Sequence, residues 1–170
     1  PEDRHYHGLF KIRSISSNTT SALLGSREMG KVDMNRRHQR EISQQYADKF
    51  RTKIVSLDDL IGSLSGGNQQ KVVISRALST RPKVVILDEP TRGIDAAARS
   101  DVYGIIRQLK EEGVAVLMVS SDIEEVVELA DRAITIFQGR INGEFSHDEI
   151  SQDALTSASF GIGHERVVAK

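Results

Sequence analysis

The sequence runs to 170 residues, enough for one domain with its own apolar core and short for two. Its 23 Lys and Arg against 24 Asp and Glu leave a formal net charge of -1, which argues against a nucleic-acid partner, because such proteins carry a basic excess or stripe. Cysteine is absent, so disulfides, thiolate metal sites and thiol nucleophiles are excluded, and no apolar run nears the roughly 18 residues that a membrane helix needs.

Residues 1–10 read as a loop leaving a core encoded upstream, since the chain opens in mid-pattern at Pro1. Residues 11–62 are polar, rich in Ser and Thr, and then helical in character. Ile42, Tyr46 and Phe50 are spaced four apart and predict one apolar face of a helix over 35–53, the surrounding charges being its solvated side. The sequon at Asn18 reads as accidental. Val84 to Leu87 is a short continuous apolar run and predicts a buried parallel strand. Val102, Ile105, Ile106 and Leu109 share a face of a helix over 96–110, which Gly113 ends. Residues 114–119 predict a second buried strand. Ser121 or Asp122 caps a helix over 123–130, and Glu124 and Glu125 suit its positive end. Residues 133–137 and 141–145 read as a closing hairpin about Gln138-Gly139, and the tail beyond 146 as a weak helix. The strand–helix–strand–helix–strand order predicts an α/β fold with a parallel sheet.

Two segments carry chemistry. Residues 64–71 read Leu-Ser-Gly-Gly-Asn-Gln-Gln-Lys and run into an apolar helix through Val72, Ile74, Ala77 and Leu78. Paired glycines let a backbone approach a ligand closely, and the first amides of a helix lack internal partners, so such a tip binds phosphate oxygens. An ordinary Ser cap with a Gly-Gly turn explains the same residues. The second segment sets Asp88 and Glu89 at the carboxyl end of a strand, where open α/β sheets bind ligands. One carboxylate there can hold Mg²⁺ and the next can polarise an attacking water. Asp95 follows in Thr91-Arg92-Gly93-Ile94-Asp95.

This ordered set resembles the ABC transporter ATPases. Residues 64–71 match the signature, Val84 to Asp88 the Walker B strand, Glu89 the catalytic glutamate and Asp95 the D-loop aspartate. The wording Leu-Ser-Gly-Gly-Asn-Gln-Gln-Lys with Asp-Glu-Pro-Thr-Arg-Gly-Ile-Asp is similar to the C-terminal cassette of the two-cassette ATPases that import ribose, galactose, arabinose or an autoinducer. The resemblance implies a P-loop NTPase-like α/β core with a helical subdomain, its Walker A portion lying upstream. It implies a loop over 1–10, a helical subdomain over 11–80, the α/β core over 81–145 and a tail over 146–170. Ser65, Gly66, Gly67 and Gln69 would cap ATP held by a second cassette. Asp88 would hold Mg²⁺, and Glu89, Asp95 and Ser121 would serve catalysis. Glu2 stands where many cassettes have a Gln that contacts the metal, and Ser121 where they have a His that supports the γ-phosphate. The implied partners are a second nucleotide-binding cassette, transmembrane permease subunits and, indirectly, a periplasmic or extracellular solute-binding protein. The implied place is the cytoplasmic face of the cell membrane. A cassette that only caps or docks, without hydrolysis, is the alternative that Ser121 favours.

Residues 25–32 nearly spell a phosphate loop, but Val32 stands where a Mg²⁺-binding hydroxyl belongs and no apolar strand precedes Gly25. His5 and His7 lack a third ligand nearby, and His38, His147 and His164 read as surface residues.

Overall fold

The computed structural model describes residues 8–25 and 35–162. Glu2, His5, His7, His164 and most of the 25–32 motif lie outside them. The chain divides into two compact units, one ending at Val119 and the other beginning at Ser120.

The first unit opens with helix α1 (Ile15–Thr20), whose cap Ser14 accepts a bond from the Ser17 amide. Helix α2 (Arg36–Lys49) starts at Asn35, whose side chain accepts from the Arg37 and His38 amides. Its buried stripe differs from the apolar face expected at Ile42, Tyr46 and Phe50. Gln39, Ser43 and Ala47 are buried with Phe50, while Ile42 and Tyr46 are only half-buried. The cause is the neighbour. Helix α1 presents hydroxyls, so Gln39 Nε2 donates to Thr20 Oγ1 at 3.0 Å and Ser43 Oγ lies 3.1 Å from Ser16 Oγ. A polar interface is acceptable inside a core when each group finds a partner, and these do.

Helix α3 (Gly66–Ser79) is the axis of the unit, in contact with α1, α2 and α4. Burial is unbroken from Gln69 to Ser75, because neighbours lie on several sides. Its Val72 joins Ile15, Leu57 and Ile61 in one apolar cluster. At its far end the Tyr46 hydroxyl donates to the Leu78 carbonyl at 2.6 Å.

Strand β1 (Val84–Asp88) pairs in parallel with β2 (Ala115–Val119), from Val84 opposite Ala115 to Asp88 opposite Val119. Helix α4 (Ala96–Glu111) crosses between them, contacts β2 and buries Val102, Ile105, Ile106 and Leu109. It closes on Gly113, at φ +77, where the Val114 amide reaches back to Leu109 O at 2.9 Å. The expectation of two strands buried on both faces is not met. Val85 and Leu87 are buried, but Val84, Ile86, Leu117 and Val119 are 59%, 69%, 56% and 52% exposed. Side chains alternate between the faces of a strand, and among the described residues only one face of each strand is covered.

The second unit holds α5 (Ile123–Leu129), strands β3 (Arg132–Phe137) and β4 (Arg140–Ser146), and α6 (Gln152–Ser159). Asp122, rather than Ser121, caps α5, accepting from the Glu124 amide at 3.1 Å. The hairpin turns at Gln138 and Gly139, φ +49 and +76, the double left-handed turn that matches strand twist. Alternation of elements suggested a third strand in the parallel sheet. The expected hairpin forms, β3 pairing antiparallel with β4 across the two-residue turn, but as a sheet of its own and not as an extension of the β1–β2 pair. Ala133, Phe145, Leu155 and Ala158 form the core of this unit. Phe145 is 1% exposed, so Phe145→Ala is expected to cost about 3–5 kcal/mol by emptying that core. Urea unfolding followed by circular dichroism measures it.

Candidate functional site

Ser65 is the residue before α3, and its hydroxyl makes no bond to the helix amides. Instead Ser65 Oγ accepts from Asn68 Nδ2 at 3.0 Å, and Asn68 Oδ1 accepts the Lys53 amide at 3.0 Å. The Ser65 side chain is thereby held at the surface, with its own proton free to donate outward. The first turn of α3 carries no acidic residue, so nothing in it offsets the positive end of the helix. Gln69 lies beneath that turn, 8% exposed, with Nε2 on Leu64 O at 2.9 Å and Oε1 buried without a hydrogen-bond partner. It ties the loop before the tip to the helix after it.

Gly67 is buried against α4. A Cβ built at Gly67 would overlap the Cβ of Ala98 and lie 3.5 Å from its Cα. The glycine at this position is therefore a packing requirement between two helix starts. Ala98 belongs to the first turn of α4, which Asp95 caps by accepting the Ala98 amide at 2.9 Å. The start of the glycine helix and the Asp95 cap thus meet in one place.

Asp88 ends β1 and is half-buried, and Glu89 follows at φ +47, a left-handed conformation that costs a side-chain-bearing residue about 1 kcal/mol or more. Its amide donates to Val119 O at 2.8 Å, continuing the parallel ladder, and its carbonyl accepts the Arg92 amide at 3.2 Å. The kink turns the chain off the end of the sheet. Pro90 and Thr91 are buried behind it, and tight turns carry the chain six residues on to Asp95. Among the described residues no group of three or more His, Asp or Glu side chains is placed to hold a metal ion by itself.

Ser65, Gly66, Gly67, Gln69, Asp88, Glu89 and Asp95 all lie in the first unit. Ser121 is exposed in the second, just before the α5 cap, and Glu2 is outside the described residues. Two features escaped sequence reasoning. Ala98 is the surface on which Gly67 rests, and Lys71 is a buried lysine, 4% exposed, with Nζ 2.8 Å from Asp101 Oδ2 and 3.3 Å from Arg51 O. The available signal was spacing: Lys71 falls four residues after Gly67, on the same helix face.

Comparison with known proteins adds kinship. The chain is 40% identical over 161 residues to the xylose import ATP-binding protein XylG of Moorella thermoacetica, covering 95% of this chain and 32% of that protein. It is 41% identical over 162 residues to the ribose import ATP-binding protein RbsA 1 of Streptomyces coelicolor, again 95% and 32%. The chain therefore spans about a third of the length of these relatives. Solved cassettes share the fold at lower identity. MJ1267, an ATP-binding cassette of an ABC transporter, superposes with a TM-score of 0.72 at 23% identity, over 88% of this chain and 64% of that one. The dimeric cassette MJ0796 bound to ADP and Pi gives 0.69 at 22%, over 82% and 59%. The family model for ABC transporters matches residues 5–92, more than half of the sequence, and the chain belongs to that family.

Proposed function

We propose that this chain is part of the ATP-hydrolysing subunit of an importer for a sugar or sugar-like signal, and that it comes from the C-terminal of two cassettes. The observation that carries the ATPase reading is the meeting of the Gly67 helix start with the Asp95-capped start of α4, six residues beyond Glu89. The named activities of XylG and RbsA 1, at 40% and 41% identity, support the solute class.

In this reading the parts serve two nucleotides. Ser65 donates its hydroxyl proton, and the amides at Gly66 and Gly67 donate theirs, to phosphate oxygens of ATP held on the partner cassette. Gln69 braces that tip from beneath. Glu89 accepts a proton from the water that attacks the γ-phosphorus of ATP on its own cassette. The new P–O bond forms as the bond to the ADP oxygen breaks. Asp95 keeps the start of α4 fixed between the two sites. Asp88 fits Mg²⁺ in the manner that ion favours, one carboxylate with water and phosphates supplying the other positions. Bound there, Mg²⁺ would neutralise phosphate charge. The resemblance alone sets Glu2 where many cassettes have a metal-contacting Gln. The permease subunits, the solute-binding protein and the cytoplasmic membrane face belong to this same proposal.

The test is phosphate release by the purified full-length subunit with ATP and Mg²⁺. Steady turnover supports the reading, and its absence under all permease and lipid conditions contradicts it. The resemblance sets Ser121 where many cassettes have a His; Ser is shorter and cannot become a cationic donor, a loss worth about 10²–10³ in rate. Ser121→His is accordingly expected to raise turnover at least about tenfold in the same assay.

A further inference from the structure

Lysine is rarely buried, and Lys71 is buried for a reason that packing alone does not supply. On α3 it lies one turn beyond Gly67, and on α4 its partner Asp101 lies one turn beyond Ala98. The two helices therefore touch at two successive levels: a backbone-tight contact of Gly67 on Ala98, then an ion pair of Lys71 with Asp101 at 2.8 Å. One contact leaves two rods free to roll or splay. A second, one turn along both, removes that freedom. The Arg51 carbonyl, 3.3 Å from Nζ, anchors the ammonium to the segment after α2, so the lysine cannot swing aside.

We propose that Lys71 is a positioning residue that locks the Ser65–Gly67 tip and the Asp95 cap into one rigid piece, so that neither can close on nucleotide without the other. The inference rests on the ATPase reading above for its consequence, but not for its mechanics. The pair is asymmetric. Asp101 is 58% exposed, so Lys71→Met leaves a carboxylate that water can solvate and an apolar side chain that fits a buried slot. Asp101→Asn instead leaves a nearly buried ammonium facing a neutral amide, without its counter-charge. Lys71→Met is therefore the variant that keeps the fold while removing the lock.

The experiment is amide hydrogen exchange on the full-length protein and its Lys71→Met variant. The reporters are the Gln69 amide, bonded to Ser65 O at 2.9 Å, and the Arg99 amide, bonded to Asp95 O at 2.9 Å. Lys71→Met is expected to speed exchange at both together by about tenfold or more, with Val73 and Ile74 in mid-helix unchanged. In phosphate-release assays it is expected to lower kcat by about tenfold or more, as loss of orientation does, with KM for ATP within about twofold. Lys71→Met with Asp101→Asn is expected to be no slower than Lys71→Met alone, because the pair acts as a unit. Unchanged exchange at Gln69 and Arg99, or acceleration along the whole of α3, overturns the proposal. So does a double variant whose loss equals the sum of the single losses. Coupled exchange in a full-length protein that never hydrolyses ATP leaves the lock standing and sinks the ATPase reading instead.

Discussion

Gly67→Ala is expected to destabilise the first unit by about 1–3 kcal/mol, the cost of overpacking a filled contact, and to lower ATP turnover with it. Two effects oppose each other. Alanine is the better helix former by about 1 kcal/mol in an exposed helix interior, so propensity alone predicts a gain. Against that, the new methyl would occupy the space of the Ala98 Cβ. Neither atom can rotate away, since each is fixed to its own backbone, and relief requires α3 and α4 to part. Parting them draws the Ser65 tip from the Asp95 cap and strains the Lys71–Asp101 pair one turn on. The clash wins. Ala98→Gly should restore much of the loss in the double variant, because it empties the space the methyl needs. Thermal melting and phosphate release on the two single variants and the double variant measure both effects.

Glu89→Gly is expected to lower activity steeply while leaving stability near that of the parent. At φ +47 the glutamate backbone sits where only glycine rests without cost, so removing the side chain relieves about 1 kcal/mol of strain, less what a more flexible unfolded chain takes back. A midpoint close to that of the parent is the expected outcome. Turnover should fall by about 10²–10⁴, the usual contribution of a positioned general base.

Much of this arrangement was legible in the sequence. Helices α3 and α4 and strand β1 follow from Gly-Gly before an apolar run, from Asp95 before a 3.6-residue period, and from four apolar residues after a proline. The hairpin followed from Gln138-Gly139. What the sequence hid depended on neighbours. The stripe of α2 is polar because α1 meets it with hydroxyls, a match made across residues 19 and 27 apart in sequence. The continuous apolar runs of β1 and β2 suggested cover on two faces, yet the described residues cover one. Lys71 stands at the end of the 64–71 segment, and nothing local marks its burial, since its partner lies 30 residues away on another helix. The left-handed turn at Glu89 was equally invisible, because no glycine or asparagine marks it.

The central claim is that the strand-end acid and the glycine helix tip belong to one device for splitting a triphosphate. Glu89→Gln tests it most directly, since the amide keeps the size and backbone of the glutamate but cannot take up a proton at neutral pH. In the full-length subunit, phosphate release is expected to drop at least about 10²-fold while the melting temperature stays near that of the parent. Turnover equal to the parent's, in a protein that melts at the same temperature, would contradict the account.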